Sequence, residues 1–270
     1  FEPTPLRNHY PSEFGLTEPR EVQKAADLVH CVGGKLFVAL NEPFYGMSEV
    51  GEYPEHVRRL GDMGVDGVIV CSVPLLLALQ EAGNTLDVCL STLQPVFNAG
   101  AADFFKKLGV DRIVFPEHTA ATEVDEILAD GEVKCENFFW LSHDCANVEA
   151  HCLFHHQSFR YLEMEPGCRF DYCRTRPQIG PINGGDPRLA ATVEEGFAAP
   201  QRYTINGMGN LYDYGRGGLH YLKMGNRPMP LEHKLLLLGI ARRLVEILRG
   251  NGVPREQFIA EAHEISAGAL

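Results

Sequence analysis

Apolar runs and amphipathic runs alternate with an even beat through the first half of this chain. KLFVALN (35–41) is a short apolar run ending in a polar loop, EYPEHVRRLGDMG (52–64) follows with helical periodicity, and GVDGVIVCS (64–72) is apolar again. That succession predicts a β-α-β unit. The beat continues through PLLLALQEAG to LDVCLST (86–92), NAGAADFFKKLG to DRIVFP (111–116), and TEVDEILADG to KCENFFWLS (134–142). Strands that are apolar throughout are buried on both faces, as in a parallel sheet covered by helices. Four successive crossovers of similar length predict an α/β fold of the TIM-barrel-like (β/α)8 kind rather than an open sheet.

After Cys145 the rhythm stops. Residues 143–200 are rich in His, Cys, Pro and Gly, as in HCLFHH, EPGCRFDYCR and RPQIGPINGGDPR, and show no sustained period. So long an irregular excursion is expected to be functional. Strand-like runs return at PQRYTING (200–207) and GLHYLKMG (218–225), and PLEHKLLLLGIARRLVEILRG reads as an amphipathic helix packed on a core or a partner. The Gly-rich stretch 204–221 lacks the G-x-G-x-x-G pattern of a dinucleotide loop and reads as loops and turns. About seven strands are countable, so either one barrel strand is missing from the N-terminus or the barrel is incomplete. The 270 residues, 45% hydrophobic, suit one domain spanning 1–270 with the cysteine-rich segment inside it.

Four of the eight cysteines fall in that segment, as Cys145-x6-Cys152-x15-Cys168-x4-Cys173. Thiolates hold zinc or an iron–sulfur cluster, and four of them satisfy either a tetrahedral zinc or a cubane. The other four, Cys31, Cys71, Cys89 and Cys135, lie in or beside apolar runs, where core packing is the expected role. Disulfides need an oxidising compartment, and no charged-then-apolar leader opens the chain, so a cytoplasmic location is expected. The net charge of −12 argues against a broad surface for nucleic acid, and no apolar run reaches the roughly 18 residues of a membrane span.

LNEPFY (40–45), GVDGVIVCS, LSTLQPVFNAGAADFFKKLGVDRIVFP (90–116), the cysteine segment ending in Cys173-Arg174 and LKMGNR (222–227) together resemble the peptidase U32, or collagenase-like protease, family in the same order over nearly the whole chain. Family members carry a cysteine loop whose first spacings are seven and sixteen residues, which Cys145, Cys152 and Cys168 reproduce. The chain departs from the pattern at Pro116-Glu117-His118, where the family has Pro-Arg-Glu, and at Leu141-Ser142, where it has His-Gly. Glu149-Ala150 stands for Ser-Gly, and Lys223-Met224-Gly225-Asn226-Arg227 keeps the Lys and Arg of Lys-Ile-Glu-Gly-Arg but loses the Glu. These departures mark a divergent member.

The resemblance implies a TIM-barrel-like fold holding a [4Fe–4S] cluster near the C-terminal ends of the strands. Several family members support hydroxylation without molecular oxygen, on ubiquinone precursors or RNA bases, with prephenate implicated as an oxygen source in some; others carry the label of protease. Cys173 is the local candidate for the fourth ligand, with Cys31 or Cys135 as alternatives if the fold brings them in.

Among other polar residues, Glu117 and His118 follow a strand, where barrel active sites gather their residues, and Asn41, Glu42 and Tyr45 follow another. Asn98 opens a helix, where capping explains it equally well. Arg174, Lys223 and Arg227 suit an anionic substrate or ordinary ion pairs. His143, His151, His155 and His156 crowd the cysteine segment as ligands, proton carriers or plain surface residues.

The expected function is oxygen-independent hydroxylation, or a related redox modification, of a small aromatic or nucleobase substrate, with a homologous partner subunit or a homodimer. The alternatives are a U32-type peptidase, and a non-catalytic subunit whose four-cysteine site binds zinc or a cluster for stability. No G-x-S-x-G, H-E-x-x-H or Cys-His signature supports peptide hydrolysis.

Overall fold

In the computed structural model the described residues are Leu6, Leu16 and residues 18–116, 119–142, 203–205, 207–224, 231–250 and 252–267. Helix α1 (Pro19–His30) precedes strand β1 (Phe37–Leu40). Then α2 (Met47–Asp62), β2 (Gly67–Val70), α3 (Val73–Glu81), β3 (Asp87–Leu90), α4 (Ala99–Lys107) and β4 (Arg112–Val114) alternate as the hydrophobic pattern predicts. A 3₁₀ turn (Ala121–Glu123) and α5 (Asp125–Asp130) lead to β5 (Lys134–Phe138).

KCENFFWLS does not run as one strand. Phe139 is fully buried, its amide donates to the Lys223 carbonyl at 2.9 Å, and the chain turns there into β6 (Trp140–Ser142). Strand β6 pairs antiparallel with β7 (Tyr203–Ile205), through Trp140 with Ile205, Leu141 with Thr204 and Ser142 with Tyr203. The predicted strand in PQRYTING therefore belongs to a two-stranded ribbon, outside the main sheet. Helix α6 (Met208–Gly217) follows, then β8 (Tyr221–Lys223), α7 (Leu231–Arg249) and α8 (Arg255–Ser266).

The reading of 204–221 as loops and turns is corrected by α6. Its glycines hide the helix in sequence because they serve packing: a Cβ on Gly209 would strike the Arg255 guanidinium, one on Gly215 would lie 2.9 Å from Leu248 Cδ1, and one on Gly217 3.0 Å from Leu128 Cδ1. Met208, Leu211 and Tyr214 are buried at helical spacing, and Gly218, at φ 101°, ends the helix as glycine commonly does.

Six strands form one wholly parallel sheet in the order β1-β2-β3-β4-β5-β8. The order never reverses, unlike that of a doubly wound sheet with its switch point. Cover follows the same logic. Val38, Val68, Val88, Ile113 and Cys135 share one core cluster with residues of α1 to α6, among them Val22, Leu60, Leu76, Phe105, Leu128 and Tyr214. On the opposite face Phe37, Ile69, Cys89, Val114 and Phe138 cluster among strand residues alone. Helices on one face and side chains packed against each other on the other give an arc of a singly wound sheet, curved around an inner face. A second cluster joins Phe139 and α6 to α7 and α8 through Leu237, Ile240, Leu244 and Phe258, as the amphipathic pattern of α7 predicts.

Gly67 makes room on the inner face: a Cβ there would overlap the Phe37 ring and approach the Asp87 carbonyl at 2.6 Å. At the N-terminal edge, His30 Nε2 lies 2.8 Å from Asp66 Oδ2, which also accepts from the Leu36 amide at 2.7 Å, and Lys35 donates to Asp87 at 3.0 Å. These ties serve stability, since barrel chemistry belongs to the other end.

Burial works to raise the Asp66 carboxyl, but the hydrogen bonds from His30 and the Leu36 amide outweigh it and hold the group below its usual value. A carboxylate shifted down on folding adds stability that is complete above its unfolded pKa of about 3.9 and lost as pH falls through the folded one. Urea denaturation of the parent and an Asp66→Asn variant from pH 6 to pH 2 should therefore show a gap between their midpoints that narrows once the pH passes below about 4. A gap independent of pH would contradict this role for Asp66.

Candidate active site

The C-terminal ends of the parallel strands carry a cluster of buried polar groups. Asn41, Cys71 and Ser91 follow β1, β2 and β3 directly, and Glu42, Ser72 and Thr92 come next in the chain; all but Asn41 are buried, and Asn41 is half-buried. The Asn41 carboxamide nitrogen donates to Ser91 Oγ at 3.3 Å, reaching across the intervening strand. Beneath it Cys71 Sγ donates to the Asn41 carbonyl at 3.3 Å, and Ser91 Oγ accepts from the Leu93 amide at 3.3 Å. Three strand ends are thus tied into one polar floor.

The connections above that floor differ in length. Cys71 and Ser72 alone join β2 to α3, whereas residues 41–46 join β1 to α2 and residues 91–98 join β3 to α4. The connection through Cys71 and Ser72 is thus the shortest of the three and lies between the two longer ones. Tyr45 braces the first: its hydroxyl donates to the Leu40 carbonyl at 2.8 Å and its ring packs edge-on against Tyr53 at 4.8 Å. Burial, then the neighbouring Tyr53, raises its pKa well above the ordinary phenol value, so it stays protonated. Asn98 ends the second loop as a helix cap, accepting from the Ala101 amide at 2.9 Å.

Beyond β4, the Thr119 amide donates to the Pro116 carbonyl at 3.1 Å, bracketing Glu117 and His118, which lie outside the described residues. The Thr119 carbonyl accepts from the Tyr214 hydroxyl at 3.0 Å and from Asn210 Nδ2 at 3.3 Å, anchoring this loop to α6. Lys223 closes β8 on the inner face, its Nζ 5.0 Å from the centre of the Phe138 ring.

Deeper on the same face Arg112 donates to Glu136 at 3.0 Å, with its guanidinium carbon 4.5 Å from the Phe37 ring and 3.9 Å from the Tyr221 ring. Neither Arg112 nor the Asn41–Ser91 tie was anticipated from sequence. The signal available was parity: Arg112 alternates with Val114 on β4 and Glu136 with Phe138 on β5, which puts both charges on the face of those apolar residues.

Cys145, Cys152, Cys168 and Cys173, together with Arg227, Arg174 and the four histidines of that segment, lie outside the described residues. Its two ends are nonetheless defined. Ser142, three residues before Cys145, pairs with Tyr203, so the chain leaves and re-enters the described fold through one ribbon at the C-terminal end of β5. Among the described residues no group of three or more His, Cys, Asp or Glu is arranged to hold a metal, and no helix is long and apolar enough to cross a membrane.

Of the remaining cysteines, Cys71, Cys89 and Cys135 are buried as expected, whereas Cys31 is exposed. Cys135 faces the helical layer, and Cys31 follows α1 at the N-terminal edge, so both stand away from the mouth. Burial pushes the Cys71 and Cys89 thiols up to about 12, aided by Glu42 and Glu136 respectively, and the Cys135 thiol likewise to about 12, aided by Asp130.

A family profile described as peptidase family U32 matches residues 9–193. The chain is 26% identical over 156 residues to the tRNA hydroxylation protein P1 of Bacillus subtilis (strain 168), covering 56% of this chain and 36% of that protein. It is 28% identical over 116 residues to the tRNA hydroxylation protein P2 of the same organism (43% and 37%), and 28% over 133 residues to the tRNA hydroxylation protein P of Helicobacter pylori (strain J99 / ATCC 700824) (48% and 30%). It therefore spans about a third of the length of the curated relatives it matches. Among solved structures, the U32 peptidase Mk0906 matches with a TM-score of 0.45 and 18% identity over 78% of each chain.

Since the thiolate is the reactive form of cysteine, the three buried thiols should resist alkylation in the native protein. Iodoacetamide treatment at pH 8 with peptide-level mass spectrometry should label Cys31 at least about tenfold faster than Cys71, Cys89 or Cys135. Equal rates under native conditions would show that the buried positions are open.

Proposed function

This chain belongs to peptidase family U32, and from that premise we propose that it acts in oxygen-independent hydroxylation of an aromatic or nucleobase substrate at the mouth of its parallel sheet. The observation that carries the reading is its similarity to three proteins named for tRNA hydroxylation. The fold that serves the reaction is a TIM-barrel-like one, of which the six parallel strands are the described part.

Cys145, Cys152, Cys168 and Cys173 hold a [4Fe–4S] cluster in this reading. The donor set fits, four thiols being the complement of a cubane. The β6–β7 ribbon supports it too, because it opens the cysteine segment beside the strand ends where barrel enzymes assemble their sites. When bound, such a cluster supplies one-electron chemistry. The chain's own groups supply the rest: the Asn41 carboxamide and the Ser91 hydroxyl offer hydrogen bonds to the edge of a planar substrate, and Lys223 and Arg227 offer charge to an anionic group. Glu117 and His118 transfer protons. Conversion of C–H to C–OH requires an oxygen donor and takes two electrons from the substrate, so a partner reaction must supply the one and accept the other. The paired P1 and P2 names of the Bacillus relatives support a homologous partner subunit for this chain.

Anaerobic purification with quantitation of iron, sulfide and zinc should give about four irons and four sulfides per chain, lost in a Cys152→Ser variant. Mass spectrometry of tRNA nucleosides from cells with and without the intact gene should show one nucleoside, heavier than its precursor by an oxygen atom, only where the chain is present. Zinc near one per chain and no iron would remove the cluster from the account, and identical nucleoside profiles would remove the tRNA substrate.

A further inference from the structure

Helix α7 turns four leucines away from its own core. Leu237, Ile240, Ala241 and Leu244 pack with α6 and α8, yet Leu231, Leu235, Leu236 and Leu238 are 68%, 58%, 44% and 45% exposed. Single apolar residues scattered on a surface need no explanation, but these recur. Leu231, Leu235 and Leu238 are followed by exposed Arg242, so steps of four, three and four residues draw one stripe along the helix, at the spacing of a coiled-coil seam. Gly239 borders the stripe in mid-helix, where glycine is the poorest residue short of proline, and a Cβ there would meet nothing within 4 Å. The three glycines of α6 admit neighbours from this chain, whereas Gly239 leaves room where nothing stands among the described residues. Gly51 in α2 is equally open, but that helix exposes a single large apolar side chain, Met47.

We propose that this stripe is the interface of a homodimer, in which α7 packs antiparallel against α7 of a second copy of the chain. Charge and shape choose that occupant. In a parallel pair about a two-fold axis each residue would face itself, setting Arg242 against Arg242 and leaving a gap between two Gly239 positions. In an antiparallel pair with Leu235 facing Leu238 of the second copy, both difficulties vanish. Leu235 settles over Gly239 of the second copy, and Arg242 comes level with that copy's Leu231 and Glu232, so that a cation meets a carboxylate at each end of the seam. The two-fold axis makes every one of these contacts twice. A seam of three leucines per copy is small, and the dimer is correspondingly weak and reversible. The inference rests on α7 alone and is independent of the hydroxylation reading.

The test is sedimentation velocity on the anaerobically purified full chain over about 1–100 μM, the range in which a small interface associates. The parent should pass from monomer to dimer as its concentration rises. Leu235→Lys, at an exposed position, should abolish the dimer while circular dichroism stays that of the parent. Glu232→Arg and Arg242→Glu should each weaken association at least about tenfold, since each sets like charges together at both ends of the seam. The double variant carrying both changes should recover the parent's affinity. A parent that stays monomeric throughout would overturn the inference, the stripe then belonging to another segment of the chain or to a different protein. A dimer that survives Leu235→Lys would overturn it as well. So would a double variant as weak as the single ones, because recovery is expected only where Glu232 of one copy meets Arg242 of the other.

Discussion

A single guanidinium spans the inner face of this sheet. Arg112 stands on β4, yet its head group lies against Phe37 of β1, three strands away, and against Tyr221 of β8, two strands away on the other side. At about 4.8 Å between neighbouring strands, β1 in a flat sheet would be roughly 14 Å from β4. Contact with both rings requires the sheet to curl until its two edge strands face one another. Arginine suits the position because its charge is spread over a plane with two stackable faces, and Glu136 neutralises it in a site where both side chains are less than 15% exposed. Removing one member of so buried a pair typically costs about 3–5 kcal/mol, because the other charge is left without compensation. The pair holds curvature as much as it holds charge.

At the C-terminal ends of the strands the Asn41–Ser91 bond reaches over β2 and ties β1 to β3. The chain passes from β2 to α3 in two residues, whereas the connections on either side are longer. On the far side β5 cannot run on past Phe139, which turns into the core made by α6, α7 and α8, and the chain departs as the β6–β7 ribbon. The described chain therefore breaks off after Ser142 and resumes at Tyr203, beyond the C-terminal end of β5.

Much of this was legible in the sequence because the parallel strands are buried on both faces. GVIV, DVCL and RIV are apolar enough to be recognised without a partner, and the helices between them show their periodicity. The parts that were not legible share a cause, in that their side chains are chosen for neighbours distant in sequence. Gly209, Gly215 and Gly217 look like loop residues, yet they admit Arg255, Leu248 and Leu128 against α6. Arg112 shows no role in the sequence until Phe37 and Tyr221 are brought to it. Cys71 reads as core, and it is buried, but its position at the end of β2 also puts it under the floor of the mouth. Tyr45, singled out as a site residue by its place after a strand, spends its hydroxyl on the Leu40 carbonyl.

The direct test of the bend is hydrogen–deuterium exchange on the parent and on Arg112→Lys, which keeps a cation beside Glu136 but gives up the planar face between the rings. If the guanidinium holds the curvature, the amides of Phe37–Leu40 and Tyr221–Lys223 exchange faster together in the variant, although the two strands are not neighbours in the sheet, while those of Asp87–Leu90 on the inner strand β3 keep their protection. Faster exchange confined to β4 and β5, or no change at all, would show that the curvature is held elsewhere.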